Sequence, residues 1–304
     1  MSIAIFDTIV IVDWSARSKP SPAKPSADAI WWSAARGKFV SEPAYHRTRT
    51  EAVHQLSGLL VKELIAGRKV LMGFDFPFGY PSGTAKCVAG APDVFALWRW
   101  ISDRIEDSVD NSNNRFAVAE AFNDCFEGIG PLWGRPASWP HPKVPNRATD
   151  RRGKHPPERR LVEQRVRRTQ PTWKLYTTGA VGSQVLLGLP AVLKLRQHQE
   201  LGPNSAIWPF EPGLVIPEAK IVLAEIYPSL LSRKIADARR EGEINDAAQV
   251  RVTAGAYASL DATGQLAALF EGPDDLTQAE RSTVEREEGW ILGVGHENLL
   301  CRAA

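Results

Sequence analysis

Thr8-Ile9-Val10-Ile11-Val12-Asp13, TIVIVD, is a run of β-branched residues that stops on a carboxylate. Branched side chains favour extended backbone, and a short apolar run without polar alternation predicts a strand buried on both faces. The pattern returns at residues 69–75, KVLMGFD, which also close on an aspartate, and at residues 221–226, IVLAEI, with Glu225 near the end. Between the first two lie residues 29–35 and 38–46, which flank Arg36-Gly37 as the arms of a hairpin. Thr50 opens a helix with Val53, Leu56, Leu59, Leu60 and Leu64 on one face, and Gly67 ends it. Further helices are predicted over 91–107, 115–126, 179–196 (after a turn), 229–241 and 245–260. Buried strands interleaved with helices predict an α/β chain.

The whole sequence has 304 residues, 43% hydrophobic and 24% charged, which is enough to build a sizeable core and excludes wholesale disorder. No apolar stretch approaches the roughly 20 residues of a membrane span. Residues 3–12 are apolar but carry Asp7 and no basic leader, which argues against a secretory signal. Cys87, Cys125 and Cys301 are odd in number with no C-x-x-C, so they read as three reduced thiols, and a cytoplasmic location is expected.

The net charge of +2 predicts no partner, but its distribution is uneven. Residues 135–168 hold eleven Lys/Arg against three acids, a local +8, together with six prolines. The first half reads as a loop, since proline lacks the donor that helices and sheets need. From Glu158 the spacing becomes helical. The functional reading is an electropositive arm whose Arg147, Arg151, Arg152, Arg159 and Arg160 contact phosphates; the plain one is a solvated loop paired with acids elsewhere.

Several chemistries leave no trace. The six histidines lack H-x-x-x-H spacing, and there is no G-x-S-x-G elbow, no phosphate loop of Walker type and no G-x-G-x-x-G after a strand. Gly179-Ala180-Val181-Gly182-Ser183 reads first as a packing turn.

The carboxylates are more telling. Asp13 and Asp75 end apolar strands, Glu225 lies inside a third, and Asp246 opens a helix. A carboxylate in such a place is costly to desolvate unless it is paired or binds a cation. Adjacent parallel strands lie about 4.8 Å apart, so acids at equivalent ends converge, and ligands of such sheets bind outside the carboxyl ends. Oxygen donors of this kind suit Mg²⁺ or Mn²⁺. A pair of such ions about 3.5–4 Å apart would activate water for phosphodiester cleavage. Each acid also has a modest alternative. Asp13 would cap the turn into Trp14-Ser15, Asp75 would bond backbone amides before Pro77, Glu225 would pair with an arginine of the basic arm, and Asp246 would be a helix N-cap.

Asp13 in IVDWSA, Asp75 in GFDFPFGYP, Glu225 in AEIYPSLL and Asp246 in NDAAQ resemble the domain-of-unknown-function family 429, whose members are regarded as ribonuclease-H-like nucleases. The stretches LYTTGAVGSQVLLGLP and EEGWILGV extend the resemblance from the first strand to Trp290. It implies a ribonuclease-H-like fold: a mixed five-stranded sheet flanked by helices, forming a single domain over 1–304, with a long helical and loop insertion at about 76–218. It also implies a metal centre of Asp13, Asp75 and Asp246, with Glu225 as a further catalytic acid. The helix start NDAAQVRVTA carries a single aspartate, which limits what that helix offers a second metal.

The leading expectation is therefore a metal-dependent nuclease or phosphodiesterase acting on nucleic acid or a small phosphoester, with no membrane partner. Two others stand beside it. An actin-like or sugar-kinase-like ATPase would place phosphate against Asp13–Arg17, although Trp14-Ser15-Ala16 has no glycine to let backbone approach closely. A non-catalytic member would bind a protein or ligand through Trp98, Trp100, Trp133, Trp139 and Trp173.

Overall fold

The computed structural model describes residues 4–166 and 169–302. TIVIVD becomes β1 (Thr8–Asp13) within a mixed seven-stranded sheet. The hairpin forms as β2 (Ile30–Arg36) with β3 (Phe39–Val40), and β4 (Ala44–His46) also pairs with β2. The chain then runs through α1 (Arg49–Ile65) into β5 (Val70–Phe74), and much later through β6 (Ser205–Ile207) into β7 (Ile221–Glu225). The order across the sheet is β3-β2-β1-β5-β7-β6 with β4 beside β2. The β1–β2 pair is antiparallel, while β1–β5, β5–β7 and β6–β7 are parallel. Five strands were too few: β4 comes from a break in the second hairpin arm, and β6 is three residues from the end of the insertion, too short to show a period.

The two faces follow from the two-residue period of a strand. Val10, Val12, Val70, Met72, Phe74, Ile221 and Leu223 join one core, and Ile9, Ile11, Leu71, Val222 and Ala224 join the other. The first core is filled by Leu56 and Leu60 of α1 and by the insertion, chiefly α3 (Val94–Ser102) and α6 (Gly182–Arg196) through Leu97, Trp98, Leu186 and Leu189. α2 (Thr84–Ala89) and α4 (Arg115–Asn123) also belong to the insertion. Trp98 and Trp173 are fully buried in this core, so neither is a surface for a partner.

After β7 come α7 (Ser232–Ala238) and α8 (Asn245–Ala262), and α8 covers the second face with Ala248, Ala254 and Tyr257. Small residues along α8 let it lie close on β1 and β2. The tail adds α9 (Gln278–Thr283) and α10 (Glu297–Arg302). Among the described residues no helix is long and apolar enough to cross a membrane.

Two boundaries moved. α1 is capped by Thr48, not Thr50: the Thr48 side chain accepts from Glu51 N at 3.2 Å, a Thr-x-x-Glu start that outranks the later threonine. In the basic arm the helical spacing yields only α5 (Leu161–Arg165).

Candidate metal centre

Asp13 is the last residue of β1 and Asp75 follows the last residue of β5. Val12 pairs with Phe74, and the Asp75 amide donates to Val12 O at 3.0 Å, so the two aspartates end adjacent strands at one level. Asp13 continues the alternate set Ile9 and Ile11, and Asp75 continues Leu71 and Gly73. Both therefore fall on the α8 face. Asp246 is in the first turn of α8 on that face. It does not cap the helix, whose N-cap is Ile244; its Oδ2 accepts from the Asp28 amide at 2.8 Å and so ties the loop after β1 to the helix start.

Glu225 is placed differently. It pairs with Phe74, one residue short of the level of the aspartates, and so belongs to the alternate set Ile221 and Leu223 that faces the insertion. There Arg160 Nη1 and Nη2 donate to its two oxygens at 2.8 and 2.7 Å, and the Phe78 amide adds a third bond at 2.9 Å. Arg160 Nε also donates to Glu163 at 2.8 Å, and Nη1 to Glu288 O at 2.8 Å. Burial works against the charge on Arg160, but the carboxylates of Glu225 and Glu163 more than offset it and hold its proton tightly. Arg160 is fully buried, so the expected phosphate clamp is instead the counter-ion of Glu225.

Asp13 and Asp75 have no such partner: among the described residues no side chain donates to either carboxylate. Both are half-buried. Burial, then the charges of Asp75, Asp246 and Asp28, push the Asp13 carboxyl well above the ordinary aspartate range. Burial, then Glu225 and Asp246, push Asp75 up to about 7. Burial also raises Asp246, against the bond from the Asp28 amide.

Asp13 and Asp246 line a cleft of about 740 Å³ with Trp14, Arg17, Asp28, Arg115, Ser183 and Gln184 among its walls. Asp75 lines a smaller gap of about 40 Å³ beside Arg160 and Glu225. Val181 borders both spaces.

The remaining arm arginines lie away from these walls. Arg151 pairs with Glu158 at 2.6 Å. Arg152 donates to Thr149 O and Arg151 O, Arg159 donates to Thr169, and Arg147 is exposed. Arg167 and Arg168 of the same arm, and Ile3 of the N-terminal apolar run, lie outside the described residues. Two cations line the cleft: Arg17, which closes the Asp13–Arg17 turn that the ATPase alternative set against phosphate, and Arg115, a lone arginine that only the fold brings to Asp13.

Among the described residues no three of His, Cys, Asp and Glu stand close enough to grip an ion between them as they are. The donor chemistry nevertheless fits a hard cation. Mg²⁺ keeps several waters and is commonly held by one or two carboxylates plus substrate phosphate. Two neighbouring carboxylates without counter-charges, both raised by burial and by one another's surroundings, are that kind of donor set.

No family model, curated protein or solved structure matches the chain.

Proposed function

We propose that this protein is a divalent-metal-dependent hydrolase of phosphodiester bonds, with a ribonuclease-H-like fold. A mixed sheet with helices on both faces supports this fold, with seven strands where the family resemblance implies five. One observation carries it: Asp13 and Asp75 end adjacent parallel strands on one face, no side chain among the described residues donates to either, and the third strand's acid is neutralised by Arg160.

Asp13 and Asp75 would hold Mg²⁺ or Mn²⁺, with Asp246 next to them on the α8 side. When bound, such an ion supplies Lewis-acid polarisation of a phosphoryl oxygen and a lowered water pKa. The chain's own groups do the rest. Asp246, whose Oδ2 is held by the Asp28 amide, would complete the shell or orient the attacking water. Arg17 and Arg115 offset the charge of an anionic substrate in the cleft. Trp14, buried beneath the loop, holds the Asp13 turn in place through packing against Phe74 and Phe76. The ligand is nucleic acid or a small phosphoester.

The test is Asp13→Asn. We expect Mn²⁺-dependent cleavage of single-stranded and duplex oligonucleotides, or of a bis-nitrophenyl phosphate reporter, to vanish in the variant, with circular dichroism unchanged. Unaltered turnover would remove Asp13 from the chemistry and the reading with it.

A further inference from the structure

Arg115 is only 7% exposed, and among the described residues no carboxylate bonds to it; its guanidinium lies over the Phe116 ring at 4.6 Å. Its Nε donates to Ser183 Oγ at 3.0 Å, and its Nη1 donates to Ser18 Oγ at 2.7 Å and Asn113 Oδ1 at 2.8 Å, all neutral acceptors. Nη2 has no acceptor among the described residues. The nearby Asp107 is already claimed by Arg49, which grips both its oxygens at 2.6 Å. Asp107 still helps to hold the charge on Arg115, but a buried cation with no carboxylate bonded to it is costly unless a ligand supplies one. Burial, then the charge of Arg49, depress the Arg115 pKa to about 10, so the guanidinium is held at a cost in the free protein.

The group that Arg115 bonds to, Ser183, stands in the first turn of the fifteen-residue helix α6. Val181 at the N-cap gives no side-chain acceptor, so the amides of Ser183 and Gln184 begin the helix uncapped and carry its positive end. The same turn is fastened to the aspartate loop: Gln184 Nε2 donates to Trp14 O at 2.6 Å, one residue after Asp13. Arg115, Ser183, Gln184 and Arg17 thus line one cleft with Asp13 and Asp246.

We propose that Arg115 and the first turn of α6 form a phosphate-binding subsite beside the carboxylates, which takes a phosphate of the substrate other than the one attacked. This rests on the phosphodiesterase reading for its substrate, but not for its anion chemistry. A helix start bearing free amides suits phosphate oxygens, and the open edge of a guanidinium adds charge-assisted bonds. Gly182 serves packing: a Cβ there would meet Thr172 O and Lys174 O, so its absence lets the α6 start seat against that backbone. The phosphate belongs either to a nucleotide or to a nucleic-acid strand.

The test titrates the full-length chain, in metal-free buffer with chelator, with inorganic phosphate, a mononucleotide and a 5′-phosphorylated dinucleotide. Binding is followed by calorimetry, and the amide resonances of Ser183 and Gln184 by NMR in the unmodified protein. We expect all three probes to bind and both amides to shift. Arg115→Gln should weaken binding about tenfold or more, the factor carried by one charge-assisted hydrogen bond. Tighter binding of the dinucleotide than of the mononucleotide assigns the phosphate to a strand; equal binding assigns it to a nucleotide. Absent binding, wild-type affinity in a folded Arg115→Gln, or unmoved Ser183 and Gln184 amides at saturating phosphate overturns the subsite. The NMR arm stands even where that variant does not fold. Phosphate binding that survives while the wild type shows no Mn²⁺-dependent cleavage sinks the hydrolase and leaves the subsite; cleavage without phosphate binding does the reverse.

Discussion

Asp75 carries its burden of burial and neighbouring charge as a raised pKa of about 7. The folded chain therefore binds more protons than the unfolded chain between the ordinary aspartate value of 3.8 and about 7. Stability should fall as pH rises through that window and level off above it, by about 1.4 kcal/mol for each tenfold difference in acid constant. Urea unfolding across this range in chelator checks it, and Asp75→Asn should flatten the profile. Asp13→Asn, which removes an unpaired half-buried charge, should leave the metal-free protein as stable or more stable, the usual trade of stability against function at a site. Arg160 behaves in the opposite way. Arg160→Met strands Glu225 and Glu163 in the interior and should cost about 3–5 kcal/mol in the same unfolding experiment. A stable Arg160→Met protein would show that the pair is dispensable.

At the scale of elements, the sheet register decides which acids meet. Thr8 pairs with Val70, and Val70 with Ile221. Counted from those positions, Asp13 and Asp75 are sixth and Glu225 is fifth, so Glu225 turns to the opposite face. This was legible in TIVIVD, VLMGFD and IVLAE once the strands were aligned by their starts, and the pairing of Glu225 with an arm arginine was one of the two roles open to it. Which arginine was not legible, because Arg160 lies 65 positions away across irregular chain whose path no periodicity encodes. The same holds for Arg115 and for the strand β6. α6 adds a prediction of its own. A Cβ at Gly188 would enter the Phe76 ring, next to Asp75. Gly188→Ala should therefore destabilise by about 1–3 kcal/mol through overpacking, and should weaken metal binding by displacing Phe76. Thermal melts with and without Mn²⁺ read both effects; an unchanged melting temperature would mean that α6 yields freely.

At the scale of the molecule, the insertion is not an appendage hung on the sheet. Its helices fill one of the two cores and its last strand extends the sheet. It also delivers Arg160 to Glu225, and Arg115 with the α6 turn to the cleft. The hydrophobic pattern made the strands and most helices readable, because burial on both faces leaves a continuous apolar run. The insertion's path depends on polar contacts between distant residues and left no such mark. If the proposed function holds, Asp13 and Asp75 share a divalent ion. A crystal soaked in Mn²⁺ at neutral pH or above, with anomalous data, decides this. The expected result is a peak bonded to both carboxylates at about 2.1 Å, near Asp246 and lost in Asp13→Asn. A crystal at saturating Mn²⁺ with no peak between those two side chains would contradict it.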